Sequence, residues 1–370
     1  MSEPGSNDWR DLFEPAGAGG STIVLDVARR QGEPWLLLPA PAALAVRALA
    51  LYPAQSTKAR GARLALRLAL RLGLKPRLKR TQLACSPNDP FVEFLRRAAD
   101  LPPLPPLHLA VLAGNPRAAG RRFVVLVFGR DGRAAAVVKA GVSASAQALI
   151  RREQEFLRCA PEAAPALPRL RESFQSPKVR ALALDYFDGD TPRPGEAAEL
   201  QRIMHGWLDR DRWVSVRELS IWPRLLEADG AGTFPPQVHA LGEAKLRPSL
   251  FHGDFAPWNI KSLRGRWTVL DWERGELLGP PGWDWFHFML QPALLVRGEP
   301  PAALLARLEA LLRTPEFMAY ARAAGVVDQM RWLGIAYLAY CLRVTRQTEG
   351  AENLRRLFEL AITRWRSSGA

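Results

Sequence analysis

Three oxygen-bearing side chains stand out by residue type and spacing. Asp254 lies in the segment His252-Gly253-Asp254-Phe255-Ala256-Pro257-Trp258-Asn259, directly after the apolar Ser249-Leu250-Phe251. Asn259 follows five residues later, a spacing that lets one compact loop hold both a base and a metal-ligating amide oxygen. Asp271, twelve residues further on, ends the apolar run Trp267-Thr268-Val269-Leu270, which offers a rigid platform for a hard oxygen ligand. Magnesium takes such oxygens and completes its octahedron with water and phosphate. Phosphoryl transfer asks little more of a protein than metal ions bridging phosphates, cationic neutralisation, and a carboxylate that orients the acceptor hydroxyl and takes its proton. The order of these residues supplies each part.

The string His-Gly-Asp-Phe-x-Pro-x-Asn, followed by Val-Leu-Asp-Trp-Glu, resembles the catalytic loop and metal strand of kinases of the aminoglycoside phosphotransferase/choline kinase type. That family shares the protein-kinase-like fold, and its signatures are related to those of protein kinases. The resemblance implies Asp254 as catalytic base, Asn259 and Asp271 as magnesium ligands, and Glu273 as a second-metal or outer carboxylate. Lys139, at the end of the strand Ala134–Val138, stands where the family has its phosphate-binding lysine. The resemblance implies Glu153 as its ion-pair partner, since the family pattern places Glu just after Arg on this helix; Glu155, two residues on, points about 200° away and cannot face the same way. Gly114 and Gly120 bound a candidate nucleotide loop, which ordinary hairpin chemistry explains equally well. Asp185, Tyr186 and Phe187 resemble the hinge whose backbone bonds the adenine, and they also fit a plain strand end. Asp284 and His252 would be structural: the first hydrogen-bonding the catalytic loop, the second bracing it without a proton-transfer step. Gly253 replaces the arginine by which protein kinases read a phosphorylated activation loop, so no such switch is expected. ATP and Mg2+ are the implied cofactors.

These residues need elements to hold them. Thr22–Val27 and Trp35–Leu38 read as short strands, His108–Ala113, Phe123–Gly129 and Ala134–Ala140 as three consecutive ones, and Arg180–Phe187 as another. The Asp131-Gly132 pair signals a hairpin. A helix is expected from about Ser145 to Cys159, and a hairpin over Asn259–Asp271 turning at Arg264-Gly265. The Pro-rich joint Leu101-Pro102-Pro103-Leu104-Pro105-Pro106 suits neither helix nor central strand and suggests a domain boundary. The expected fold class is α+β, protein-kinase-like: an α/β N-terminal extension over 1–105, a small antiparallel-sheet lobe with one helix over 106–189, and a mainly helical lobe over 190–370. The resemblance places ATP between the two lobes.

A further helix, Ser56–Leu72, has Ser56 as N-cap, Gly73 as stop and Pro76 as block. Arg60, Arg63, Arg67 and Arg71 recur on one side, with Leu64, Leu68 and Leu72 opposite. It reads either as a helix lying on a membrane surface or anionic partner, or as one packed on the core with a solvated arginine face.

Composition narrows the classes. The net charge of +14 lies wholly in residues 1–180, which hold 28 Lys/Arg against 14 Asp/Glu, whereas residues 181–370 hold 23 of each. Residues 191–250, expected to contribute to the acceptor pocket, hold 8 of each, which argues against a polycationic aminoglycoside acceptor. A sugar, amino alcohol, nucleoside or lipid-linked glycan hydroxyl each fits. Trp258, Trp272, Trp283, Trp285 and Phe288 are either an acceptor platform or lobe packing. Cys85, Cys159 and Cys341 match neither a disulfide framework nor a metal spacing. No secretory leader and no membrane span are expected, which suggests a cytoplasmic protein with a peripheral membrane contact through the arginine helix and no specific nucleic-acid partner. The alternative functional reading is a nucleotide-binding pseudokinase or scaffold with an anion-binding N-terminal segment.

Overall fold

The structure, a computed structural model, describes residues 8–16, 21–52, 57–75, 78–103, 106–114, 120–193, 196–229, 232 and 234–367. Ser56, Pro76 and residues 115–119 of the candidate nucleotide loop lie outside the described residues. The chain divides into two compact units, Met1–Arg158 with Pro168–Phe187, and Cys159–Leu167 with Asp188–Ala370.

The first unit runs β1 (Ser21–Arg30), β2 (Glu33–Pro39), α1 (Ala42–Ala48), α2 (Thr57–Arg71), β3 (Lys79–Cys85), α3 (Pro90–Ala98), β4 (Leu109–Leu112), β5 (Phe123–Phe128), β6 (Ala134–Gly141), α4 (Ala144–Cys159), β7 (Leu170–Gln175) and β8 (Arg180–Asp185). One eight-stranded sheet results, in the order β3-β1-β2-β4-β5-β6-β8-β7. Successive strand residues point to opposite faces. Leu37, Val125 and Val127 therefore join a core with Trp9, Phe91 and Phe94 on one face. Leu36, Leu38, Leu126 and Phe128 pack with Ala45, Ala48 and Leu70 on the other. Burial on both faces explains why these strands read as continuous apolar runs.

Three sequence expectations change here. The Pro-rich joint does not separate compact units, because β2, before it, pairs with β4, after it, through Leu36↔Leu112 and Leu37↔Val111. Strand β3 and helices α1 and α3 were not anticipated, nor was β7. For α3 the signal was present: Asp89 caps the helix by accepting from the Phe91 and Val92 N–H groups, with Pro90 at its first position. Helix α2 also packs differently from the expectation. It faces the core through Leu70, 1% exposed, while Leu64, Leu68 and Leu72 are 57%, 51% and 75% exposed.

The second unit runs α5 (Ala197–Trp207), β9 (Val214–Ser215), α6 (Ile221–Ala228), α7 (Pro236–Ala240), β10 (Lys245–Leu246), β11 (Ser249–Phe251), β12 (Ile260–Leu263), β13 (Arg266–Val269), β14 (Glu276–Gly279), α8 (Trp283–Gln291), α9 (Pro301–Leu311), α10 (Pro315–Ala324), α11 (Met330–Ala339) and α12 (Ala351–Arg366). It is mainly helical, and the expected small antiparallel sheet with its following helix is present in the first unit as β4, β5, β6, β8, β7 and α4. The β12–β13 hairpin turns at Arg264 and Gly265, with φ of 53° and 76°, the doubly positive pattern of a tight two-residue turn. Among the described residues no helix is long and apolar enough to cross a membrane.

Candidate active site

In the second unit, β11 delivers the chain into the loop 252–259 and β13 returns it to Asp271. His252 is fully buried and ties the two together. Its Nδ1 accepts from the Asp254 N–H at 3.1 Å, and its Nε2 donates to the Leu270 carbonyl at 2.7 Å. A backbone N–H can only donate, so this geometry requires the neutral tautomer protonated at Nε2. Burial lowers the imidazole's pKa, outweighing the Leu270 bond and nearby carboxylates, which keeps it neutral. Trp272 closes over it edge-on at 4.6 Å between ring centroids.

The loop's own N–H groups are gathered by Asp284, in the first turn of α8. Its Oδ2 accepts from the His252 N–H at 2.6 Å and its Oδ1 from the Gly253 N–H at 3.2 Å. Burial pushes the Asp284 carboxyl up to about 7; the two backbone bonds pull against that rise, while the Asp254 charge adds to it. Gly253 adopts φ 76°, in the left-handed region that glycine enters at little cost. A Cβ there would stand 3.0 Å from Arg274 Cβ, so the position admits no larger residue without movement. Local backbone geometry thus accounts for glycine at this position.

Asn259 donates from Nδ2 to both the Asp254 carbonyl, at 2.8 Å, and Asp254 Oδ2, at 2.9 Å. That orientation leaves Oδ1, the amide atom a hard cation takes. The Asn259 carbonyl also accepts from the Leu270 N–H at 2.7 Å, locking the loop to the end of β13. Asp271 itself has φ 68°. A non-glycine residue in this region stores of order 1–3 kcal/mol of strain and is found most often at functional positions. Asp271 and Glu273 offer carboxylate oxygens within 4.8 Å of one another. Both are oxygen donors, of the kind that suits magnesium rather than a thiolate- or imidazole-seeking metal.

One contact to Asp254 escaped the sequence reading. His287, on α8, places Nε2 at 3.1 Å from Asp254 Oδ1, and its Nδ1 at 3.0 Å from the Tyr337 hydroxyl on α11. Because a carboxylate only accepts, Nε2 carries the proton. Burial pushes the Asp254 carboxyl upward, but the His287 hydrogen bond, with the Arg274 charge, leaves it below its ordinary value. Burial also holds the Tyr337 phenol well above its ordinary value, so it remains an O–H donor to His287. The available signal was spacing: Asp284 and His287 are three apart on one helix and so share a face.

In the first unit, Lys139 Nζ meets Glu153 Oε1 at 2.6 Å, with side-chain exposures of 6% and 0%. Glu155 turns outward instead and faces Arg151 at 3.7 Å. Lys139 lies on β6 opposite Val124 and Leu182, so its position is fixed by strand pairing on both sides. Gly114 has φ 65°, and a Cβ on it would meet the Arg122 carbonyl at 2.8 Å. Gly120 closes on Leu149, where a Cβ would lie 2.6 Å from Cδ1. At the expected hinge, the Asp185 N–H donates to the Arg169 carbonyl at 3.0 Å. Its carboxylate pairs with Arg171 at 2.5 Å.

The aromatic group separates by burial. Trp272, Trp283 and Trp285 are 0%, 0% and 5% exposed and act as packing, whereas Trp258 and Phe288 are partly exposed. Trp283 donates to the Leu333 carbonyl at 3.0 Å and Trp272 to the Val269 carbonyl at 2.9 Å, which satisfies both buried indoles.

No protein-family model matches the sequence. No curated protein matches it either. Among solved structures, the chain is similar to a thermostable mutant of aminoglycoside phosphotransferase APH(4)-Ia in ternary complex with ADP and hygromycin B, at 16% identity and a TM-score of 0.47, covering 75% of this chain and 98% of that one. It is also similar to the streptomycin–ATP–APH(2")-IIa ternary complex, at 12% identity and a TM-score of 0.41, covering 73% and 95%. A glucosamine kinase matches at 14% identity and a TM-score of 0.31, covering 73% and 97%.

Proposed function

We propose that this chain is an ATP- and magnesium-dependent phosphotransferase that moves the γ-phosphoryl group of ATP to a hydroxyl of a small molecule. The observation that carries the reading is the treatment of Asp254. It is held on one oxygen by His287 and on the other by Asn259, in a loop whose N–H groups Asp284 gathers. A carboxylate with both oxygens oriented, and with its pKa kept low, is poised as an ionised acceptor. It aligns the acceptor O–H and takes its proton as the acceptor oxygen forms the new P–O bond and the bond to the ADP oxygen breaks.

Magnesium, when bound, supplies neutralisation of the phosphate charge; Asn259, Asp271 and Glu273 are the residues that would hold it. Lys139, fixed by Glu153, supplies a cation for phosphate oxygens. Residues 181–370 hold equal numbers of Lys/Arg and Asp/Glu, which argues against a polycationic acceptor.

The test is a coupled assay of ADP release over a panel of hydroxylated metabolites, with Asp254→Ala as the blank. Turnover should fall by about 10²–10⁴-fold in that variant, the usual contribution of a general base, with ATP affinity and Tm retained. Undiminished turnover rejects the reading. Nucleotide binding without turnover across the panel would favour the scaffold alternative.

A further inference from the structure

Helix α2 carries leucines on two opposite sides. At about 100° per residue, Leu66 and Leu70 fall on the inward side, where both pack in the core beside Leu36, Leu38 and Phe128. Leu64, Leu68 and Leu72 fall on the outward side and remain 57%, 51% and 75% exposed, with Leu74 beyond them at 59%. Arg60, Arg67 and Arg71 lie along one flank of this outward stripe and are exposed. None of Arg60, Arg63, Arg67 and Arg71 forms an ion pair among the described residues. The surrounding sequence is one-signed: residues 34–88 contain no Asp or Glu and ten Lys/Arg.

We propose that the outward face of α2 docks on an anionic lipid surface, with Leu64, Leu68 and Leu72 in the headgroup–acyl boundary and Arg60, Arg67 and Arg71 on the lipid phosphates. Charge complementarity selects the occupant. A second copy of the chain would set this basic face against itself, which like charges oppose. Nucleic acid would satisfy the arginines but gives three aligned leucines nothing to enter. A lipid boundary takes both: apolar side chains a few ångströms deep and cations at the phosphates. Leu70 anchors the helix to the unit, so the outward stripe is presented without loss of the core contact. The inference is independent of the phosphotransferase reading.

The experiment uses the full chain and two kinds of extruded vesicle, phosphatidylcholine alone and phosphatidylcholine mixed with phosphatidylglycerol. The protein should co-sediment with the anionic vesicles, less so at raised salt, and not with the neutral ones. Arg60→Gln/Arg67→Gln/Arg71→Gln should weaken partitioning roughly a hundred-fold, since each cation near an anionic surface contributes about a factor of five. Leu64→Gln/Leu68→Gln/Leu72→Gln should weaken it at least about tenfold through lost apolar insertion, with Tm and phosphotransfer unchanged because these residues face outward. Failure of the parent protein to bind anionic vesicles overturns the proposal. So does binding that the leucine variant leaves intact, and so does duplex DNA binding that matches vesicle binding and ignores the leucines.

Discussion

His287 Nε2 stands 3.1 Å from Asp254 Oδ1, and the other nitrogen of the same ring meets the Tyr337 hydroxyl at 3.0 Å. Asp254, which can only accept, fixes the proton on Nε2, and the neutral ring then takes the Tyr337 O–H at Nδ1. The pair explains how Asp254 stays ionised despite its burial: the imidazole N–H replaces the water that burial removes.

Replacing His287 by phenylalanine should therefore lower kcat by about 10–100-fold, the range seen when an orienting partner is removed. The acidic limb of the kcat/KM profile should move to higher pH, because the partner that holds the Asp254 carboxyl low is gone. His287→Gln keeps a donor and should recover part of both effects. A pH–rate series on the three proteins checks this. An unmoved acidic limb in the phenylalanine variant would show that His287 only fills space.

Asp284 gives a pH dependence of stability with the opposite sign to most carboxylates. Its folded-state pKa, raised to about 7 by burial, lies above the unfolded value of about 3.9. The folded state therefore binds a proton that the unfolded state has lost, and Asp284's contribution is greatest below the unfolded value. It then falls by up to about 1.4 kcal/mol per pH unit as pH rises toward 7. The buried His252 acts the other way near its own range, so the comparison is made against Asp284→Asn, which cannot ionise. The stability gap between parent and variant, from denaturant melts, should narrow between pH 5 and 7 by roughly that slope, and stay level above it.

Lys139 and Glu153 form a buried pair, and breaking one by removing a partner usually costs about 3–5 kcal/mol, mostly the desolvation of the charge left behind. Lys139→Ala should lose stability of that order together with ATP affinity. The double variant Lys139→Met/Glu153→Leu should regain most of the stability and none of the affinity. Denaturant melts and calorimetric ATP titration separate the two. Recovery of affinity in the double variant would remove Lys139 from the nucleotide site.

Gly253→Ala places a Cβ at φ 76° and 3.0 Å from Arg274 Cβ. The left-handed conformation alone costs about 1–2 kcal/mol, and relief would drag the Gly253 N–H from Asp284. Activity should drop more than Tm suggests, since Asp254 is the next residue. A variant with lowered Tm but parental kcat would show that the loop tolerates the shift.

Several features were legible because they are local. Asp254 and Asn259 share one loop, Asp271 lies two residues beyond the adjacent strand, and the spacing follows from what phosphoryl transfer needs within a few residues of chain. The two-residue turn at Arg264-Gly265 follows from glycine's access to positive φ. That only one of Glu153 and Glu155 can face Lys139 follows from helix rotation; that it is Glu153 comes from the family resemblance.

What tertiary structure decided are choices between faces and between distant partners. His287 is 33 residues from Asp254 and Tyr337 a further 50, so beyond the shared face of Asp284 and His287 no local spacing announces their chain of contacts. The sheet runs past the Pro-rich joint because β2, far before it in sequence, pairs with β4, just after it. Helix α2 has leucines on both sides, and periodicity gives their spacing but not which side is covered. Only the sheet beneath it chose Leu70 for the core and left Leu64, Leu68 and Leu72 outside. A helical period fixes angles between residues, whereas burial depends on what lies opposite.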